Sequence, residues 1–300
     1  MLSYVLVTPA RNEERFIEQT LTSVVNQTVP PLRWVIVDDG STDRTAEIVE
    51  RFANRYPWIQ LIRRSSGLQR NFASKVLAFN EGYAALGSLA YDVIGSIDAD
   101  ISFEPDYLAF LLGCIEADSE LGVAGTVFAE DGYDSSRDSF EGQAHVAGGC
   151  QLFRRQCFEE VGGYAPNQGG GVDWVAVTTA RMTGWKTRAF RQKSFFHHRM
   201  LGTANRNTMS AMFFCGRRDY FLGKHPLSQV LRVLYRMSKK PILVGGLGLM
   251  FGYTWAFVRR ENRISRELMR FRRREDTVKL RRMLASAVRG RRVDKFSLLD

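Results

Sequence analysis

Apolar positions in the first hundred residues follow two rhythms. Short, nearly unbroken runs at Tyr4–Thr8, Trp34–Val37, Ile59–Ile62 and Val93–Ile97 have the look of strands covered on both faces. Between them, apolar residues recur one helical turn apart: Ile17, Leu21, Val24 and Val25, then Ile48, Val49, Phe52 and Tyr56. A third stripe, Phe72, Val76, Phe79 and Tyr83, lies within a helix expected over Gln69–Leu86. Strand and helix therefore alternate, which predicts an α/β fold with a mostly parallel sheet covered by helices. The stripes are read as core. From about Gly122 to Phe196 the pattern is glycine-rich and less regular, with short strands such as Val123–Phe128 and at least two helices. Asp131–Glu141 is polar and turn-rich, a candidate mobile loop. No internal repeat is found.

The last third changes character. Leu227, Val230, Leu231, Leu234 and Met237 mark one face of a helix. Lys239-Lys240 then precede Pro241–Val258, eighteen residues without a charge, closed by Arg259-Arg260. As one helix this stretch would be ~27 Å long, slightly short of a ~30 Å hydrocarbon core. Gly245, Gly246, Gly248 and Gly252 weaken it further as a simple span. Beyond it, Ile264, Leu268 and Phe271, and later Leu280, Leu284 and Val288, alternate with arginines as in a basic amphipathic helix.

Composition matters mainly through where the charge sits. With 45% apolar and 12% aromatic residues, 300 residues can build a full core, and the composition argues against disorder. The net charge of +10 suggests nucleic acid until it is located: fifteen Lys and Arg face six Asp and Glu from Arg259 to Asp300, so this tail carries +9 and residues 1–258 about +1. The tail has no aromatic stacking set and no nucleic-acid motif, so no nucleic-acid partner is expected. Cys114, Cys150, Cys157 and Cys215 lack metal-ligand spacing and read as reduced thiols of a cytosol-facing protein. The chain enters strand pattern at Tyr4 without a basic n-region or an apolar h-region, so no signal peptide is expected.

Candidate chemistry clusters at the predicted strand ends. Asp98-Ala99-Asp100 follows the run Val93–Ile97, where open α/β sheets bind ligands, and Glu104-Pro105-Asp106 then starts a helix. Paired carboxylates there suit Mg²⁺ or Mn²⁺ carrying a substrate diphosphate. Thr8-Pro9-Ala10-Arg11-Asn12-Glu13-Glu14 is either a loop presenting backbone to a nucleotide base or an ordinary strand-to-helix turn. In Val37-Asp38-Asp39-Gly40-Ser41-Thr42-Asp43, Asp39 is placed to accept from a base or ribose, and Asp43 to cap a helix. Arg70, in Gln69-Arg70-Asn71, faces a diphosphate or base, or else solvent. Gly162-Gly163-Tyr164 is followed by Gly169-Gly170-Gly171-Val172-Asp173-Trp174, in which Asp173 is an N-cap or a carboxylate at a cleft. His197-His198-Arg199 either adds a histidine to a metal or diphosphate site or is a polar junction.

Together, in this order, these segments resemble family 2 glycosyltransferases, over about residues 1–200. The motifs carrying the resemblance are Pro-x-x-Asn-Glu, Val-Asp-Asp-Gly-Ser-Thr-Asp, Arg-Asn before a long helix, Asp-x-Asp, and Gly-Gly-Tyr followed by Gly-x-Asp. The resemblance implies a Rossmann-like GT-A catalytic domain over 1–200; the apolar and charge pattern adds a helical region over 201–300, with an apolar segment at 241–258 and a basic tail at 259–300. The resemblance also implies Pro9, Ala10, Glu13, Asp39, Arg70 and Asp98 at the nucleotide, Asp100 with Asp98 on Mg²⁺ or Mn²⁺, His197 or His198 as a further metal ligand, and Asp173 as base of an inverting transfer. The family often has Glu-Asp where this chain has Val172-Asp173. The Gln-x-x-Arg-Trp motif of processive synthases is absent, which implies one sugar per encounter.

The expected donor is a UDP- or GDP-linked sugar, and the expected acceptor a hydroxyl or phosphate on a polyprenyl or other lipid carrier, in cell-surface polysaccharide or glycolipid synthesis. The expected location is the cytoplasmic membrane face. A single span would export the basic tail against the positive-inside tendency, so an interfacial or re-entrant segment on anionic lipid is favoured over a crossing. The alternative for the apolar segment is a buried helix in a soluble enzyme with a small-molecule or protein acceptor. Two other functions fit the sequence less well. A sugar nucleotidyltransferase would show a Gly-rich basic loop that Thr8–Glu14 lacks, and a non-catalytic nucleotide-sugar-binding scaffold would not need Asp98, Asp100 and Asp173 together.

Overall fold

The computed structural model describes residues 1–65, 72–138, 142–167, 169–199, 208–238 and 242–288. They gather into two units, one of Met1–Gln168 and Val172–His198, the other of Gly169–Gly171 and the residues from Arg199 onward. In the first unit the chain runs β1 (Tyr4–Ala10), α1 (Ile17–Val25), β2 (Arg33–Asp38), α2 (Thr45–Arg55), β3 (Ile59–Arg63), α3 (Phe72–Ala84), β4 (Val93–Ile97), β5 (Ile101–Ser102) and α4 (Tyr107–Ala117). It continues through β6 (Leu121–Glu130), β7 (Tyr133–Asp134), α5 (Ser135–Asp138), β8 (Cys150–Arg154), α6 (Arg155–Glu160), α7 (Val172–Met182) and β9 (Lys186–His197). The sheet order is β3-β2-β1-β4-β8-β6-β9-β5, with β7 paired to β6. Strands β3 to β4 are parallel, as is β6 with β9, while β8 and β5 pair antiparallel with their neighbours.

Alternation along the central strands sorts the core into two layers. Tyr4, Leu6, Trp34 and Ile36 point to the side of Ile17 and Leu21 on α1 and Leu108 and Leu111 on α4. Val5, Val7, Val35 and Val37 point to the side of Val76 and Phe79 on α3 and Phe158 on α6. Both faces of these strands are thus covered, which is why their sequences read as continuous apolar runs; each fully buried Leu, Ile or Val contributes roughly 1.5–3 kcal/mol. The buried Trp34 indole keeps its hydrogen bond, donating to Thr8 Oγ1 at 2.9 Å.

Several local expectations shift. β1 continues past Thr8 to Ala10 because Pro9 and Ala10 sit in register with Val37 and Asp38. The expected loop at Asp131–Glu141 is instead a turn through Gly132 (φ 72°) into β7 and α5, with residues 139–141 outside the described residues. The expected helix start at Gln69 also lies outside them. All four cysteines are free, Cys150 and Cys157 buried, and burial pushes each of these two thiols up to about 12.

The second unit is helical: α8 (Thr208–Phe221), α9 (Pro226–Met237), α10 (Val244–Val258) and α11 (Arg266–Val288). The apolar stretch expected over Pro241–Val258 forms a helix only from Val244, after Leu243 in the left-handed region (φ 65°). No helix among the described residues is long and apolar enough to cross a membrane. The glycines of α10 face inward and let its backbone approach its neighbours: a Cβ on Gly252 would collide with the Phe213 carbonyl of α8, and one on Gly246 with the Val233 carbonyl of α9. α11 is not a free basic helix. Its Arg272 Nη1 donates to the Leu222 carbonyl at 3.0 Å, Arg273 Nε to the Gly223 carbonyl at 3.2 Å, and its Asp276 Oδ2 accepts from the His225 backbone N–H at 3.1 Å.

Candidate active site

The C-terminal ends of β1, β2 and β4 carry the motif residues. The first two loops interlock through hydrogen bonds that use the side chains of Asn12, Ser41, Asp43 and Thr45. Asn12, with φ 55°, donates its N–H to Ser41 Oγ at 2.9 Å and accepts the Thr42 N–H on Oδ1 at 2.8 Å. The Glu13 N–H donates to Thr45 Oγ1 at 2.7 Å and the Glu14 N–H to Asp43 Oδ2 at 3.1 Å. Asp43 Oδ1 also accepts from the Thr45 N–H at 3.0 Å; the expected cap thus sits one residue early, since Arg44 holds the N-cap position of α2 without a side-chain bond and Asp43 reaches the first turn from before it. Burial raises the Asp43 carboxyl, but these hydrogen bonds outweigh it and leave the group below its usual range. Pro9 and the buried Ala10 thus end β1 against this braced pair of loops, with the buried Glu13 inside it.

Asp39 follows β2, and its N–H donates to the Ala10 carbonyl at 2.8 Å. Arg64 Nη1 lies 2.6 Å from its Oδ1, Arg11 Nη1 3.7 Å from its Oδ2, and Ser74 Oγ hydrogen-bonds its other oxygen. Arg64 also reaches Glu81 at 2.8 Å. Arg64 was missed in the sequence, although its place just past β3 is the signal already used for Asp39. Arg70 lies outside the described residues.

At β4, the Asp98 N–H donates to the Gly149 carbonyl at 2.9 Å, and the Asp98 carboxylate takes Lys75 Nζ at 2.6 Å. Asp100 is brought to His197 by sheet register: β5 pairs with β9 so that Ile101 opposes His197, and the His198 N–H donates to the Asp100 carbonyl at 2.9 Å. His197 Nε2 is 3.4 Å from Asp100 Oδ1, and its buried Nδ1 is 3.4 Å from Glu130 Oε1 without a hydrogen bond. Burial pulls the His197 imidazole down, but Asp100, Asp98 and Glu130 together hold it above its ordinary value. Asp98, Asp100 and His197 each offer a ligand atom within 4.8 Å of the others. His198 turns elsewhere: Nε2 bonds with Ser102 Oγ at 2.9 Å, and the ring stacks on Phe16 at 6.0 Å. Of the two expected histidines, the structure brings only His197 to the carboxylates.

Asp173 sits in the first turn of α7, after Gly170 and Gly171 at φ 78° and 69°. Its side chain lies against Gly148, next to Gly149, whose carbonyl accepts the Asp98 N–H, and this places Asp173 beside the Asp98 loop. Two residues missed in the sequence complete the arrangement. Lys75 has no local signal, being one polar position on an exposed helix turn. Gly148 leaves the space that Asp173 fills, since a Cβ there would lie 2.7 Å from Asp173 Oδ2. Tyr164, from the Gly-Gly-Tyr motif, is buried among Phe79, Phe153 and Phe158 and donates to Gln151 Oε1 at 2.6 Å.

A profile of the glycosyl transferase family 2 matches residues 5–162, and the chain belongs to that family. Among curated proteins it is 30% identical over 104 residues to the chondroitin synthase of Pasteurella multocida, covering 35% of this chain and 10% of that one. It is 28% identical over 180 residues to the beta-monoglucosyldiacylglycerol synthase of Synechocystis, covering 53% of this chain and 36% of that one. The chain therefore spans between a tenth and about a third of these relatives' lengths. Among solved structures, the mannosyltransferase PcManGT of Pyrobaculum calidifontis, in complex with GDP-Man and Mn²⁺, is 20% identical with a TM-score of 0.57 over 99% of this chain and 78% of that one. S. aureus TarS 1-349 in complex with UDP-GlcNAc is 14% identical with a TM-score of 0.56, over 98% and 89%. These likenesses show the expected fold, a GT-A sheet flanked by helices.

Proposed function

We propose that this protein transfers one sugar, with inversion, from a UDP- or GDP-linked donor to a hydroxyl or phosphate of a lipid-linked acceptor, with 1–200 as catalytic domain and 201–300 as membrane-associating extension at the cytoplasmic face. The observation that carries the reading is the clustering of Asp98, Asp100 and His197, with Asp173 held against Gly148 beside the Gly149 carbonyl that accepts the Asp98 N–H. Two carboxylates and an imidazole with ligand atoms this close fit a divalent ion such as Mn²⁺ or Mg²⁺. Asp98, Asp100 and His197 would hold it, and when bound it offsets the charge developing on the diphosphate leaving group. In this reading Pro9, Ala10, Glu13 and Asp39 line the nucleotide, Arg64 and Ser74 orient Asp39, and Arg70 is assigned to the diphosphate by motif alone. Asp173 accepts the proton from the acceptor hydroxyl as its oxygen attacks the anomeric carbon from the face opposite the diphosphate. A lipid-linked acceptor is supported by the basic, apolar C-terminal third; the Synechocystis relative is named for a glycolipid product.

The test is donor turnover by purified protein. Asp173→Asn should keep donor affinity within a few-fold and cut transfer by ~10²-fold or more. Asp100→Ala should abolish turnover with the fold intact by circular dichroism. Near wild-type transfer by Asp173→Asn would move the base to Glu130 or Asp131, and full activity of Asp100→Ala would overturn the metal reading.

A further inference from the structure

Two helices of the second unit are inverted relative to the usual plan of a water-soluble fold. α9 turns Gln229 and Val233 inward, at 4% and 7% exposure, and fixes Arg232 to the buried Asp219 at 2.8 Å. Its apolar stripe Leu227, Val230, Leu231 and Leu234, spaced i, i+3, i+4, i+7, faces out, with Leu227 63% and Leu234 57% exposed. In α10 the inward face is mostly small, Gly245, Gly246, Gly248, Gly252 and Ala256 around one buried Leu249, while Phe251, Trp255 and Val258 face out at 54%, 47% and 77%. Small residues in and large apolar residues out is how helices associate where the surroundings are lipid. Water offers no reason to keep such faces, since contiguous exposed apolar surface marks an interaction site.

The chemistry around these faces selects the occupant. Arg259 stacks on the exposed Trp255 ring at 4.7 Å, the amphipathic pairing favoured where apolar and charged layers meet. Arg260 follows, also exposed. On α11, Arg266, Arg270, Arg274 and Arg281 recur at helical spacing and are all exposed, while Arg272 on the other side is committed to a carbonyl. An apolar surface accompanied by an arginine line complements anionic headgroups over an acyl layer; a second copy of the same basic surface would bring like charges together. At fifteen residues, α10 is ~22 Å long, too short for a ~30 Å core.

We propose that the outward faces of α9 and α10, with the exposed arginines of α11, insert into the headgroup layer of an anionic bilayer without crossing it. This goes beyond the membrane association read from the apolar segment and tail, because α9 carries it as much as they do, and it does not depend on the transfer reaction. The test is flotation of the full chain with phosphatidylcholine vesicles with and without phosphatidylglycerol. The wild type should float with the anionic vesicles and keep a salt-resistant fraction. The double variant Leu231→Glu, Leu234→Glu should lose that fraction by at least ~10-fold while binding nucleoside diphosphate and Mn²⁺ as before. In the wild type, bromine on the acyl-chain carbons nearest the headgroups should quench tryptophan emission, and Trp255→Phe should remove the quenching; this arm needs no disruptive substitution. Absence of flotation, absence of quenching, or equal flotation of the α9 variant would overturn the proposal. So would a wild-type dimer that ignores vesicles and is dissolved by the α9 variant, since a second copy would then cover the face.

Discussion

The carboxylate of Asp173 has its position because residue 148 has no side chain. A methyl group at Gly148 would fall 2.7 Å from Asp173 Oδ2 and 3.0 Å from its Cβ, so the whole side chain would have to move. A displacement near 1 Å in a proton acceptor is enough to cost up to ~10²-fold in rate. Gly148→Ala is therefore expected to lower kcat by ~10-fold or more while the donor KM stays within a few-fold. Steady-state kinetics check it, and an unchanged kcat would mean that Asp173 either relaxes freely or is not the base. The same scale shows how much of the site was legible. Asp39, Asp98 and Asp100 were readable because each follows an apolar strand run directly. Lys75 and Gly148 were not, because their importance lies in contacts across 23 and 25 positions of sequence, to Asp98 and to Asp173.

At the scale of elements, spacing and glycine decide how closely helices and strands meet. The α8–α10 contact depends on a Gly252 that leaves no room for a methyl group beside the Phe213 carbonyl. Gly252→Ala should destabilise the helical unit by ~1–3 kcal/mol, since packed backbones cannot relax around an added methyl without separating. Scanning calorimetry should show an earlier transition; an unchanged thermogram would contradict the close approach. The mostly parallel half of the sheet was legible, since β1 to β4 are buried on both faces and their apolar runs are long. Of the β6–β9 half only Val123–Phe128, within β6, was legible. β9 is partly exposed with mixed burial, and the strand order depends on antiparallel insertion of β8, which leaves no periodic trace.

For the molecule as a whole, donor and metal binding should be linked. If Asp98, Asp100 and His197 share an ion with the diphosphate, GDP or UDP with Mn²⁺ should raise Tm far more than either alone. Binding the folded state at a hundred times Kd adds ~2.7 kcal/mol to stability. Thermal denaturation with each component, and with chelator, reads this directly. Equal shifts with and without Mn²⁺ would exclude a shared site. The +10 net charge, which at first suggests nucleic acid, is a property of the C-terminal third. There part of it is internal, since Arg217 pairs with Glu261 at 2.6 Å and Arg272 with a backbone carbonyl, and part lies along the exposed side of α11.

The sequence by itself determined the alternation of strand and helix, the family resemblance over residues 1–200 and the carboxylates at the strand ends. Burial on both faces and turn chemistry impose local patterns, and local patterns can be read from one chain. Tertiary structure alone decided that His197 and not His198 meets Asp100, because strand register turns alternate residues to opposite faces and a histidine pair looks the same from sequence either way. It alone decided which side of α9 faces out. An amphipathic stripe fixes that a helix has two sides but not which one its neighbours bury, and here the neighbours took Gln229 and Val233 and left the leucines exposed.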